Sequence, residues 1–321
     1  MGINPFIPKA TTTIENVISA YLGSLESRGA SSHYHISRVL TKAMQHFGKD
    51  TNASEISPAM VCDFLGSIYS RGSEAMADRA HSILKACFNH SIKSPYNYRT
   101  KAFAVNGITS NPLDMVPADR KASSHVCNRF LTKEELSSFL VRLENDSEHP
   151  ASKILRLCVL IGSRLIESAS LKVSSYNPET KVLKWETTKT GVPHQICVND
   201  YIHSLMMEWI KGKEQNDFIF PSMKNSMLHT SVDTVQKYFD RLGFKDCTSR
   251  DACRRTFKVW IQSCAVSKEL ADRLQNHSDR SVSSRHYDRH FMCEDGMKEM
   301  QNAFDRWVSF LNSLSKFSMV A

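Results

Sequence analysis

Four short segments carry side chains able to handle a phosphate ester, and their order along the chain gives them meaning. In IGSRLIESASL, Arg164 follows a Gly-Ser break at the start of a helical turn, with Glu167 three residues on. A guanidinium there, beside free backbone N–H groups and the positive end of a helix dipole, suits a phosphate oxygen. In WETTKTGVPHQICV, Lys189 stands at the tip of a hairpin, where a flexible ammonium is either solvated or reaches into a groove. SRDACRRTFKVW packs Arg250, Arg254, Arg255 and Lys258 onto the first turns of one helix. Arg254 and Lys258, four apart, share a face, whereas Arg254 and Arg255 diverge by about 100°. In LQNHSDRSVSSRHYDRHF, His277 is followed ten residues later by Tyr287. Taken singly, each is ordinary: a surface arginine, a solvated lysine, a charged helix face, a structural histidine and a half-buried tyrosine.

Taken in this order, the segments resemble the tyrosine site-specific recombinases, the phage integrase family. That family carries an Arg in a G-x-R-x-x-E-like segment, a Lys on a T-K-T-G-like hairpin and an H-x-x-R box usually continued R-T. A His or Trp after L-x-N/G follows, and a nucleophilic Tyr about ten residues later. Here the pattern falls on Gly162-Ser163-Arg164 with Glu167, on Lys189, on Arg254 followed by Arg255-Thr256, on Leu274-Gln275-Asn276-His277, and on Tyr287. The helical region at 12 to 93 looks like the family's core-binding domain, so the resemblance covers nearly the whole chain. The Tyr287-Asp288-Arg289 ending and the helix around Trp307 most resemble integrases of satellite phages and genomic islands, and no separate arm-binding domain is seen before residue 12. Two departures stand out. The first position of the H-x-x-R box is Asp251, a carboxylate that would repel a scissile phosphate unless protonated or paired, with Arg250 or Arg255 as candidate partners. The spacing from His277 to Tyr287 is also one residue longer than the commonest form.

The resemblance implies a reaction. Strand exchange without net hydrolysis needs a covalent intermediate that stores the phosphodiester's energy, and a tyrosine supplies it. Tyr287 would attack the scissile phosphate, forming a 3′-phosphotyrosyl bond and releasing a 5′-hydroxyl. Arg164 and Arg254 would stabilise the charge growing on the non-bridging oxygens, with His277 donating a further hydrogen bond. Lys189 would protonate the leaving 5′-oxygen. No cofactor or metal is expected. The partners implied are double-stranded DNA carrying specific recombination sites, a homo-oligomer forming a tetramer on two such sites, and DNA-bending accessory proteins. The element served would be mobile, through integration or excision. Two alternatives share the fold: a DNA-binding protein that has lost cleavage through Asp251, and a type IB topoisomerase-like enzyme that relaxes supercoils.

Composition agrees with this class and excludes others. With 321 residues, 41% hydrophobic and 23% charged, the chain is neither collagen-like, disordered nor a coiled-coil rod. The excess of 41 Lys+Arg over 33 Asp+Glu gives +8, which leans toward a polyanionic partner. The nine cysteines show no C-x-x-C spacing, which argues for reduced thiols and against structural zinc. No run approaches 18 uncharged apolar residues, and MGINPFIPKATTT lacks the apolar core and cleavage site of a signal peptide, so no membrane contact and a cytoplasmic location are expected.

The elements that must position these residues read as mainly α. Apolar periodicity predicts four helices between 12 and 93: from Thr12 or Thr13 to near Gly29, Ser32 to Phe47, Ser57-Pro58 to Gly72, and Glu74 to Ser91. This is the SAM-like four-helix core-binding domain that the resemblance implies, with an irregular extension, over 1–115. A linker over 116–129 follows, and then a catalytic domain over 130–321. In the latter, Thr132 and Glu135 form a capping box, a helix runs from Ile154 to Ile161, and strands fall at Leu171–Ser175, Val182–Thr187 and Gln195–Val198 around a hairpin turn at 189–191. Helices follow at about 201–211, 231–242, 251–264, 267–275 and 295–314. The last of these, with Met300, Phe304, Trp307 and Leu311 at helical spacing, packs either on its own domain or on a neighbouring protomer.

Overall fold

A computed structural model describes residues 12–30, 32–118, 129–188, 193–277 and 293–314. The chain divides into two compact units, Met1–Cys127 and Asn128–Ala321. Among the described residues no helix is long and apolar enough to cross a membrane.

The first unit holds four helices: α1 (Ile14–Ser27), α2 (His33–Phe47), α3 (Pro58–Tyr69) and α4 (Glu74–Lys93). Their starts are written locally. Thr13 caps α1 by accepting from the Asn16 amide, and Asn16 returns the bond to the Thr13 amide. Ser57 caps α3, with Pro58 preset at the first helical position. Val17, Leu40, Val61, Leu84 and Phe88 meet in the core. The extension does not trail away from the helices. Ile108, Leu113 and Val116 join the same core, His81 Nε2 bonds the Val116 carbonyl at 3.0 Å, and Asn111 donates to the Lys85 carbonyl and to Asn89.

The second unit is built around α6 (Pro150–Ile161), which is buried on nearly every face and is therefore its central helix. It starts four residues before the expected Ile154, because Pro150 takes the first helical position and His149 Nδ1 accepts from the Ala151 amide. Before it, α5 (Lys133–Asn145) opens on the expected Thr132–Glu135 capping box. After it come α7 (Leu165–Ala169) and a three-stranded antiparallel sheet, β1 (Tyr176–Asn177), β2 (Val182–Trp185) and β3 (His194–Cys197), in which Trp185 pairs with His194. Then follow α8 (Asp200–Ile210), α9 (Val232–Arg241), a π-helical turn (Asp251–Arg255), α10 (Thr256–Ile261), α11 (Lys268–Leu274) and α12 (Glu294–Leu314).

Two expectations are corrected. Residues 171–175 are not the first strand, which falls at Tyr176–Asn177. Their backbone is taken by 215–219: the Val173 amide bonds the Asp217 carbonyl, Ser174 bonds Gln215, and the Leu171 carbonyl accepts from Ile219. The helix expected over 251–264 is three pieces: the π turn, α10, and a 3-10 turn at Gln262–Cys264 that ends at Ala265 with φ +57°. The terminal helix packs on its own unit. Trp307 is fully buried, donates Nε1–H to the Val159 carbonyl of α6 at 3.1 Å, and meets Phe257 edge to face.

Candidate active site

The end of α6 is where Arg164, Arg254 and His277 come together. Gly162 terminates the helix with φ +66°, and a Cβ there would lie 2.4 Å from Cδ1 of Phe257, so both conformation and space demand glycine. Arg164 follows as the cap residue of α7. Its Nη1 donates to Glu167 Oε1 at 2.7 Å, and its amide donates to Glu167 Oε2 at 3.2 Å. Glu167 is buried, and its carbonyl accepts from Trp185 Nε1 at 3.0 Å. With only five residues, α7 contributes little dipole. The Glu167 carboxylate, rather than a helix end, is what aims Arg164.

Arg254 comes from the π turn and is buried. Its Nη1 donates to the Gly162 carbonyl at 2.9 Å and its Nη2 to the Gln275 carbonyl at 2.5 Å. Burial first, and then the nearby Arg164 charge, push its pKa down to about 10, so it remains a cation at neutral pH. Two guanidiniums held this close, with one carboxylate bonded to either among the described residues, leave a concentration of positive charge suited to an anion.

Asp251 lies inside the unit, 1% exposed. Thr248 Oγ1 donates to its Oδ2 at 2.7 Å, while Arg255 Nη2 and Arg250 Nε stand 3.4 and 3.8 Å from its Oδ1. Both partners foreseen for it are present. Thr256, the residue after the arginine pair, is fully buried. Its hydroxyl donates to the Asp251 carbonyl and accepts from the Leu131 amide, tying the π turn to the start of the unit.

His277 follows α11 and sits beside the Arg254 guanidinium, whose charge acts on it. Its Nδ1 lies 3.1 Å from Asp272 Oδ1 and 3.4 Å from Lys258 Nζ, and Lys258 is itself bonded to Asp272. The face shared by Arg254 and Lys258 therefore points to the site, but Lys258 arrives neutralised.

Lys189 and Tyr287 lie outside the described residues. The hairpin that carries Lys189 is anchored at its base. The buried His194 stacks on Trp185 at 5.4 Å, accepts at Nδ1 from Arg273 Nη1 at 2.9 Å, and bonds the Leu274 carbonyl through Nε2 at 3.3 Å. Burial, with the Arg273 charge second, pushes its pKa down to about 3 and keeps it neutral. Trp185 and His194 thus join the hairpin to α7 on one side and to the end of α11 on the other. Gln275, Asp272, Trp185 and His194 were not picked out from sequence. Gln275, between Leu274 and His277, and Trp185 and His194, within WETTKTGVPHQICV, lay in segments already singled out, whereas Asp272 carried no such signal.

A fold with a buried central helix, a hairpin sheet and two converging arginines defines an enzyme class that breaks and rejoins DNA strands, the tyrosine recombinases. The model of the phage integrase family matches residues 129–293, just over half of the 321, and the chain belongs to that family. No curated protein matches it. Among solved structures it is similar to lambda integrase in a tetramer bound to a Holliday junction, with TM-score 0.64 and 18% identity over 88% of this chain and 83% of that one. It is also similar to a lambda integrase dimer bound to a COC′ core site, at 0.63 and 20% over 87% and 78%. The Tn1549 transposon integrase in complex with transposon right-end DNA matches at 0.60 and 14% over 86% and 99%. At such identities these likenesses show the shared fold.

Proposed function

We propose that the protein cleaves and rejoins duplex DNA at specific sites through a 3′-phosphotyrosyl intermediate, serving the integration or excision of a mobile element. The observation that carries this reading is the convergence of Arg164 and Arg254 on the end of α6, with His277 beside them. During attack by Tyr287, charge builds on the non-bridging phosphate oxygens. Donors already fixed by Glu167, by the Gly162 carbonyl and by Gln275 meet that charge without reorganising. Lys189 protonates the departing 5′-oxygen. The pairing of Asp251 with Thr248 and Arg255 supports an active enzyme over a binding protein that has lost cleavage, since a carboxylate buried against these partners does not confront the phosphate.

Double-stranded DNA is the partner. A groove of about 780 Å³ in the first unit is lined by His35, Arg38, Lys42, His46, Arg71 and Arg79 around Phe64 and Ile68, with no carboxylate among its lining residues. Such a groove suits a phosphate backbone. The similarity to lambda integrase, seen as a tetramer on a Holliday junction, supports a tetramer acting on two sites.

The test uses a supercoiled plasmid carrying two copies of the element's junction sequence. Recombinant circles of defined size are expected. A ladder of relaxed topoisomers without recombinants would instead assign DNA relaxation.

A further inference from the structure

A second acid stands in the cleft, and its bonding decides what His277 can do. Asp272, on α11, offers one oxygen to both Lys258 Nζ and His277 Nδ1. A carboxylate only accepts, so the hydrogen of the 3.1 Å bond belongs to His277 Nδ1. Lys258 Nζ, 3.4 Å from Nδ1, keeps further hydrogens to donate, but a bare Nδ1 lone pair would then face the closer carboxylate oxygen, so the proton stays on Nδ1. In the neutral ring the free lone pair is therefore on Nε2.

Among the described residues, the charged groups facing the ring are Asp272 from α11, Lys258 from α10 and Arg254 from the π turn. Burial first, then Arg254 and Lys258, hold His277 below the usual imidazole range against the opposing pull of Asp272. Burial works against the Asp272 charge, but Lys258 and then His277 outweigh it, and its pKa lies below the ordinary carboxylate value. A neutral imidazole bonded to an ionised carboxylate is the arrangement of a proton acceptor. Asp251 cannot fill that role, being 1% exposed and bonded to Thr248.

We propose that Asp272 is a positioning residue that holds His277 as the Nδ1–H tautomer, so that His277 Nε2 takes the proton lost by the attacking phenol. This rests on the recombinase reading above. In the cleavage step the phenolic O–H bond breaks and Nε2–H forms. The phosphorus–tyrosine oxygen bond forms as the bond to the 5′-oxygen breaks, and that oxygen takes its proton from Lys189. The imidazolium is then stabilised by Asp272 and donates Nε2–H to a non-bridging oxygen. Rejoining returns each proton.

The experiment pairs a spectrum with a cycle of rates on the full chain. Nitrogen-15 NMR of the free protein, with the His277 signals identified by their loss in His277→Ala, is expected to show a protonated Nδ1 and an unprotonated Nε2. Single-turnover cleavage of a nicked duplex should fall on the acid side as His277 takes a proton. Asp272→Asn removes the group that raises the His277 pKa. The acid limb should therefore move to lower pH, and the plateau should drop about tenfold. In the His277→Ala background the limb should be absent, and Asp272→Asn should change the rate by less than about twofold. Protonation at Nε2, or equal losses from Asp272→Asn in both backgrounds, would overturn the proposal. A wild type that shows the Nδ1–H spectrum but forms no phosphotyrosyl adduct would defeat the recombinase reading, and the acid–base role with it. Adduct formation with an Nε2–H ring would defeat this proposal alone.

Discussion

Arg254 and Gln275 hold each other reciprocally: the guanidinium donates to the Gln275 carbonyl at 2.5 Å, and the Gln275 side-chain amide donates to the Arg254 carbonyl at 2.7 Å. The same amide nitrogen reaches the Gly162 carbonyl at 3.2 Å, which Arg254 also engages. Three segments from distant parts of the chain are thereby locked around one cation, and Gln275 is 1% exposed, so water cannot replace these bonds.

Gln275→Ala leaves the Arg254 carbonyl without this donor. The expected cost is about 1–3 kcal/mol of stability. A cation displaced by a fraction of an ångström should also slow single-turnover cleavage by roughly tenfold to a hundredfold at saturating DNA. Thermal melts and quenched-flow rates measure the two, and an unchanged cleavage rate would show that Arg254 is held without Gln275.

Asp251→His is expected to lower cleavage rather than raise it. Arg255 would lose its partner, and a ring would have to fit a site only 1% exposed. Because Arg255 is itself partly exposed, the ion pair is the smaller part of a cost of about 1–3 kcal/mol. Cleavage rates compared at equal DNA occupancy decide the matter, and a clear rise would mean that the carboxylate repels the phosphate.

Acid should loosen the catalytic unit through His194. Its imidazole titrates near 3 when folded and near ~6.5 when unfolded, so between those values only the unfolded chain takes up the proton. The stability contributed is complete above about 6.5 and declines toward pH 3, by at most ~1.4 kcal/mol per unit. His194→Gln can still accept from Arg273 and donate to Leu274 but cannot titrate, so it should flatten this dependence. All four tryptophans, Trp185, Trp209, Trp260 and Trp307, lie in the second unit, so urea midpoints followed by their fluorescence at pH 7 and pH 5 report on it. An equal acid loss in both proteins would remove His194 from the explanation.

What sequence made legible were features encoded within a few residues. The caps at Thr13, Ser57 and Thr132, the apolar stripes of the helices and the Gly162 break are all of that kind. So are the motif positions of Arg164 and Arg254. What escaped depends on partners far away in the chain. His194 acts on Arg273 and Leu274, Gln275 acts on Gly162, and residues 171–175 pair with 215–219 in place of their own hairpin. The π turn at 251–255 leaves no periodic trace, because five residues are too few to separate it from an α-helix by spacing.

The central claim is that a tyrosine of this chain becomes joined to DNA. Tyr287→Phe removes one hydroxyl and leaves the phosphate contacts in place, so DNA binding should stay within a few-fold of wild type. The measurement is the covalent protein–DNA adduct trapped on a nicked duplex carrying the recombination site, resolved on a denaturing gel and mapped by peptide mass. The wild type is expected to give an adduct on the peptide containing Tyr287 and the Tyr287→Phe protein none. An undiminished adduct in the variant would contradict the assignment.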